Sequence, residues 1–357
     1  MKKLLLSFCF ILFTHLLFGQ NFAEKVDRII QTEFNEKDGP GGVFLISKKG
    51  KPIYEKAFGL SNLELNIKLQ PKNVFQIGSM TKQFTAVAIL LLEQDGKINT
   101  ADYISKYIPD YPNGNKISIH NLLTHTSGIK DFTKTKGLSE IAQKEMTPKM
   151  MVDFFKNEPV DFQPGEKFEY NNSGYVVLGY IIELVSGKTY EDFIQLNIFD
   201  KIGMSNSYYA TDRKVIKNRA YGYHQKSYGY VNKSAISFSV PYASGSLMST
   251  LEDMLKWQNS LTQNLLLNKK ETAKAFTKYK LNNGEEFEYG YGYGWHLKNI
   301  NNIPTREHGG SIFGFKSMAV YIPSEDIYVL GFSNCDCNSP TQIVKDIAEL
   351  ALKDSQK

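Results

Sequence analysis

The 357-residue sequence has little cysteine, three residues in all, and only two tryptophans. A Cys-x-Cys pair, Cys335 and Cys337, is too close for an ordinary structural disulfide, and two thiols make no framework. The fold is therefore expected to rest on its core, which 42% hydrophobic residues, including 23 Phe and 21 Tyr, can make large. The chain also lacks an excess of charge of one sign: 42 Lys and Arg stand against 37 Asp and Glu. A net charge of +5 makes no case for nucleic acid as a partner. No stretch beyond residue 20 is long and apolar enough to span a bilayer. There is no internal repeat and no low-complexity linker, so the length points to one large domain or two intimate ones.

The first twenty residues differ from the rest. Met1-Lys2-Lys3 precedes an apolar run from Leu4 to Phe18, broken by Ser7, Thr14 and His15. The pattern fits a signal peptide cut near Gly19 or Gln20, with an uncleaved N-terminal anchor as the alternative. Cys9 falls inside it. Removing residues 1–20 takes two lysines and leaves a mature chain of 337 residues, net +3, exported to the periplasm or secreted.

Along the mature chain, Val26, Ile29 and Ile30 mark one face of a helix over Phe22–Gln31. Gly42–Lys48 and Pro52–Phe58 read as two strands around a Lys49-Gly50 turn. Phe84–Leu92 reads as a buried helix stopped by Gly96. Helical patterns dominate from Thr100 to about Asn206, including one helix over Gly174–Val185. Strand-like pieces then return, such as Tyr289–Leu297. Phe315–Ile322 and Ile327–Phe332 form a hairpin, and a final helix runs over Thr341–Leu352. The expected architecture is an α/β fold: an antiparallel sheet flanked by the terminal helices, with an all-helical insertion over about 100–206.

Three constellations could carry chemistry. Ser79-Met80-Thr81-Lys82 is an S-x-x-K. On a helix, residues three apart share a face, so Lys82 can reach the Ser79 hydroxyl. A lysine amine kept neutral by burial can take the serine proton. The alternative is a plain helix cap beside a solvated lysine. Ser127-Gly128-Ile129-Lys130 has the same spacing but lies in a polar loop. Tyr170-Asn171-Asn172 is a Y-x-N that leaves the Gln163-Pro164-Gly165 loop and enters a helix. It would add a second proton carrier and an amide for Lys82 and substrate, or else a packing aromatic and a helix cap. Tyr111-Pro112-Asn113 and Tyr230-Val231-Asn232 repeat the triplet. His308-Gly309-Gly310-Ser311 offers a glycine-lined backbone edge and an N–H that could form an oxyanion hole with that of Ser79, or else a surface imidazole before a turn. His120, His125, His224 and His296 show no H-E-x-x-H pairing, so no metal and no cofactor are expected.

Taken in order, these segments resemble the serine β-lactamase and penicillin-recognising family over most of the mature chain. They are most similar to its class C branch, with the D-Ala-D-Ala carboxypeptidases and related esterases. Phe75-Gln76-Ile77-Gly78-Ser79-Met80-Thr81-Lys82 resembles the nucleophile segment. Leu122-Leu123-Thr124-His125-Thr126-Ser127-Gly128 resembles a structural signature, which accounts for the second S-x-x-K. Gly245-Ser246-Leu247-Met248-Ser249-Thr250 with Asp253 resembles another. His308-Gly309-Gly310 fits the third element. The resemblance implies that Ser79 is acylated, that Lys82 and Tyr170 handle protons, and that Asn172 positions the substrate. It also implies that His308, Gly309, Gly310 and Ser311 line its binding edge, with the Ser79 and Ser311 amides as oxyanion hole. Gly309 stands where many relatives have a Thr or Ser that holds a substrate carboxylate. That departure weighs against efficient β-lactam hydrolysis and leaves ester, amide or D-amino-acid peptide hydrolysis open. The implied partner is a small-molecule or peptide substrate. The alternative is a penicillin-binding sensor that acylates and hardly turns over.

Overall fold

The computed structural model describes residues 21–287 and 290–355; the leader expected over residues 1–20, and Tyr289, lie outside them. In chain order the elements that position the site are α1 (residues 21–31), β1 (Gly42–Lys48), β2 (Lys51–Phe58), β3 (Phe75–Gln76), α2 (Thr81–Gln94), α3 (Asn172–Ser186), β4 (Tyr208–Tyr209), β5 (Leu247–Ser249), α4 (Leu251–Gln263), β6 (His296–Ile300), β7 (Ile303–Ile312), β8 (Phe315–Ile322), β9 (Ile327–Ser333) and α5 (Pro340–Ser355).

Six strands form one antiparallel sheet in the order β6-β7-β8-β9-β1-β2. The chain ends meet at its centre, where β1 pairs with β9 from Gly42–Ser333 to Lys48–Ile327. Successive side chains of a strand face opposite sides, and here both sides are covered. Phe44, Ile46, Val320, Ile322 and Val329 pack with Val26 and Ile30 of α1 and Val344 and Ile347 of α5. Val43, Leu45, Ala319, Leu330 and Phe332 pack instead into the larger core with α2, α3 and Trp257 of α4. Burial on both faces explains why β1 reads as an unbroken apolar run. This is the α/β arrangement the sequence implied.

Helix ends follow local chemistry. Asn171 caps α3 by accepting from the Gly174 N–H, and Gly187 ends it at φ 68°. Thr250 caps α4 through the Asp253 N–H. Gly96 follows α2 at φ 69°. Between residues 100 and 206 the described chain holds helices, turns and one isolated bridge, Tyr103–Ser118.

Two expectations are corrected. The strand expected over Tyr289–Leu297 begins only at His296, because Gly290 and Gly294 take positive φ and turn the chain through Tyr291–Trp295. Cys335 and Cys337 are joined by a disulfide. The chain turns at Asp336, which brings the two Cα atoms to 5.1 Å, inside the range a disulfide accepts.

Candidate active site

The segment that carries Ser79 is built by β3 and a tight turn. Gly78 at φ 52° opens a short 3-10 turn over Gly78–Met80 that runs directly into α2. A Cβ on Gly78 would lie 2.9 Å from the Ser311 nitrogen, so only glycine lets this turn touch β7 so closely. A Cβ on Gly310 would come within 2.0 Å of the Ile77 carbonyl oxygen. The glycines on both sides are therefore what lets Ser79 and Ser311 approach.

Lys82, one turn into the helix, is fully buried. Its Nζ lies 3.1 Å from Ser79 Oγ, 2.9 Å from Asn172 Oδ1 and 2.8 Å from the Ser244 carbonyl. Burial lowers its pKa from 10.5 to about 7, with the Asp131 charge acting in the opposite direction. The Asn172 amide is oriented from behind. Its Nδ2 donates to Asp131 Oδ2 at 3.1 Å, and its backbone N–H donates to the same oxygen at 2.7 Å. Oδ1 is thereby left to face Lys82.

Tyr170 stacks its ring 4.9 Å from Lys82 Nζ. Its buried hydroxyl completes no hydrogen bond in this geometry, although Ser79 lies near enough to favour the phenolate. Burial outweighs that contribution and raises the Tyr170 pKa, so the phenol stays protonated at neutral pH.

His308 does not face the cavity. Its Nδ1 is 2.6 Å from the Gly309 carbonyl, an acceptor only, so Nδ1 carries the ring proton. Nε2 then accepts from the Tyr291 hydroxyl at 3.1 Å. Burial, with His296 and Lys82 nearby, keeps His308 well below the usual imidazole range, so it is a neutral wall behind Tyr170. Strand β6 pairs with β7 only as far as Glu307. Among the described residues no strand covers residues 308–312 on that side, and their backbone forms an edge open to the site.

Ser79, Tyr170, Asn172, Ser244 and Ser311 line one cavity of about 480 Å³. A wider depression of about 700 Å³ near Phe34, Phe58 and Leu69 contains none of these groups. The competing motifs fall elsewhere. Ser127 is buried, and Lys130 pairs with Asp161 at 2.8 Å. Tyr111 is in the core, and Tyr230 and Asn232 bond Glu36 and Glu64 on the surface. Arg306, close in sequence to the third element, lies 3.6 Å over the Phe276 ring.

The family follows from a direct match. A sequence model described as Beta-lactamase covers residues 26–352. The chain belongs to the β-lactamase family. Among its relatives, penicillin-binding protein 4* of Bacillus subtilis (strain 168) is 30% identical over 319 residues, 84% of this chain and 69% of that protein. An octameric penicillin-binding protein homologue from Pyrococcus abyssi superposes with a TM-score of 0.80 at 30% identity, covering 92% of this chain and 77% of that one. D-amino acid amidase from Ochrobactrum anthropi SV3, in complex with D-phenylalanine, gives 0.77 at 25% identity, covering 92% and 98%. No helix among the described residues of this β-lactamase-family chain is long and apolar enough to cross a membrane.

Two groups at the centre were not singled out from the sequence. Asp131 reads there as part of a polar loop beside Lys130, and nothing local distinguishes it. The Ser244 carbonyl is a backbone atom that no residue pattern can reveal, although the adjacent Gly245–Thr250 signature lies beside it.

Proposed function

We propose that the protein is a serine hydrolase working through an acyl-enzyme on Ser79. The observation that carries this is the hydrogen-bond arithmetic at Lys82. A neutral amine has two N–H bonds and one lone pair. Two of the three neighbours of Nζ, the Ser244 carbonyl and Asn172 Oδ1, can only accept. They take both N–H bonds, and the lone pair is left for the Ser79 O–H. With a pKa of about 7, a large share of Lys82 is in this form at neutral pH.

In the first step Ser79 Oγ attacks the acyl carbonyl as its proton moves to Lys82 Nζ. The new oxyanion would lie against the Ser79 and Ser311 N–H groups, which the Gly78 and Gly310 contacts bring together. The Tyr170 hydroxyl, protonated and without a partner, gives its proton to the leaving group and is reprotonated from Lys82. Water then cleaves the ester by the reverse of these transfers. Asn172 bridges Lys82 and the substrate, and residues 308–312 offer it their backbone edge. The D-amino acid amidase and penicillin-binding relatives support amides, esters and D-amino-acid peptides as the substrate class. Export rests on residues 1–20, which read as a signal peptide.

The test is intact-mass spectrometry after treatment with a fluorophosphonate or a penicillin. The wild type should gain one adduct, Ser79→Ala none, and Ser127→Ala should behave as wild type. An adduct that persists in Ser79→Ala and disappears in Ser127→Ala would place the nucleophile at the other serine. Steady-state release of p-nitrophenol from p-nitrophenyl acetate separates a hydrolase from a sensor, which would stop after one turnover.

A further inference from the structure

The cavity beside Ser79 is unequal in its chemistry. Most of its wall is apolar, with Phe132, Leu138, Ile236, Val240, Ile312 and Phe313 prominent. Of the described residues that line it, Asp336 alone carries a formal charge. Lys82 is buried behind the wall and Arg306 is stacked on Phe276, so among the described residues no cation lines the cavity to receive a substrate carboxylate.

Asp336 is held in place. Asn334, at the end of β9, accepts from the Gly41 N–H and donates to the carbonyls of Leu60 and Tyr221. The Asp336 N–H donates to the Tyr223 carbonyl. The Cys335–Cys337 disulfide closes the chain around it. Its carboxylate accepts from His224 Nδ1. The Ser234 backbone N–H donates to His224 Nε2 at 3.0 Å, so that nitrogen is unprotonated and the ring proton sits on Nδ1. The imidazole therefore orients the carboxylate without neutralising it. The Asp336 side chain remains 36% exposed, which leaves room for a second partner.

Its place relative to the nucleophile follows from register. Ser311 faces Lys316, and Lys316 faces Ser333. Two strand spacings put Ser333, where β9 ends three residues before Asp336, roughly 10 Å from Ser311, and Asp336 lines the same cavity as Ser79 and Ser311. A lysine side chain spans about 7 Å from its carbonyl carbon to its amine, and a charged hydrogen bond adds about 3 Å.

We propose that Asp336 selects the substrate: the site accepts an acyl group with an apolar chain ending in an ammonium, as in a lysine-type residue, and pairs that ammonium with Asp336. This specificity rests on the acyl-enzyme reading of Ser79, but binding can be measured without the chemistry. In Ser79→Ala protein, calorimetry compares Nα-acetyl-lysinamide with Nα-acetyl-norleucinamide, each in D and L form. The lysine compound of the better-bound hand should bind about tenfold more tightly, the size expected for a charged hydrogen bond on a partly exposed carboxylate. The preference should shrink in 1 M salt and fall to about one in Ser79→Ala with Asp336→Asn. Equal or tighter binding of norleucine, no binding of either compound at millimolar concentration, or a preference that survives Asp336→Asn would each overturn the proposal. Turnover of p-nitrophenyl acetate by wild type and not by Ser79→Ala independently reports the acyl-enzyme.

Discussion

Replacing Lys82 by methionine keeps an unbranched side chain out to the ε position and removes the amine, and the effect on stability should depend on pH. The amine is fully buried and its pKa falls from 10.5 to about 7. A shift of roughly 3.5 units corresponds to about 5 kcal/mol of preference for the neutral form, an order of magnitude only. Below pH 7 the folded and unfolded chains both hold the proton, and the whole penalty weighs on the fold. Between pH 7 and 10.5 the unfolded chain holds a proton that the folded chain has released. Stability of the wild type then rises with pH, by about 1.4 kcal/mol per unit from this group. Methionine abolishes the penalty but leaves Asn172 Oδ1 and the Ser244 carbonyl without their donor, at about 1–3 kcal/mol each. The two effects nearly cancel at low pH, so the slope is the decisive quantity. Urea denaturation of both proteins should show the stability of Lys82→Met minus that of wild type falling by about 1.4 kcal/mol per unit between pH 7.5 and 9.5. A difference that stays flat would mean that the amine is not depressed, and the lone-pair argument would fail with it. The kcat/KM of the wild type for p-nitrophenyl acetate should rise over the same titration, half-maximal near pH 7.

Two further outcomes test the site. Lys82→Ala and Tyr170→Phe should each lower kcat/KM by roughly 10²–10⁴, the range for acid–base groups, and the double variant should be little worse than either, because they pass the same proton; fully multiplicative losses would count against shared work. Asp131→Asn exchanges one of the two acceptor oxygens for an NH2 donor, which weakens the hold on Asn172 and Thr133, and it removes the charge that raises the Lys82 pKa. Its pH–rate profile should move to lower pH, and its plateau should fall about tenfold or more, the scale of one charged hydrogen bond; a profile that moves to higher pH would contradict the sign of that electrostatic contribution.

Much of the fold was legible because its signals are local. The apolar run Gly42–Lys48, the turn before Ile327 and the glycines after α2 and α3 each specify an element from within a few residues. The starts of α2 and α3 were legible only to within a few residues: the apolar patterns over Phe84–Leu92 and Gly174–Val185 begin after the helices do, at Thr81 and Asn172. The strand expected from Tyr289 failed for a local reason that periodicity misses: Gly290 and Gly294 bend a segment whose aromatics otherwise look like a strand. The Cys-x-Cys spacing likewise describes an extended chain, whereas the turn at Asp336 shortens it.

The order of Ser79, Lys82, Tyr170, Asn172 and His308 along the chain determined the family and the chemistry to expect, because each motif carries its spacing within itself. Only the tertiary structure decided which groups complete them. Asp131 and the Ser244 carbonyl reach Lys82 from segments 49 and 162 residues away. His308, expected at the binding edge, has both ring nitrogens engaged behind Tyr170. Asp336 reaches the cavity because β9 ends beside β8, two strands from the Ser311 edge of β7. A buried amine's proton affinity depends on everything packed within a few ångströms of it, and sequence distance carries no record of that.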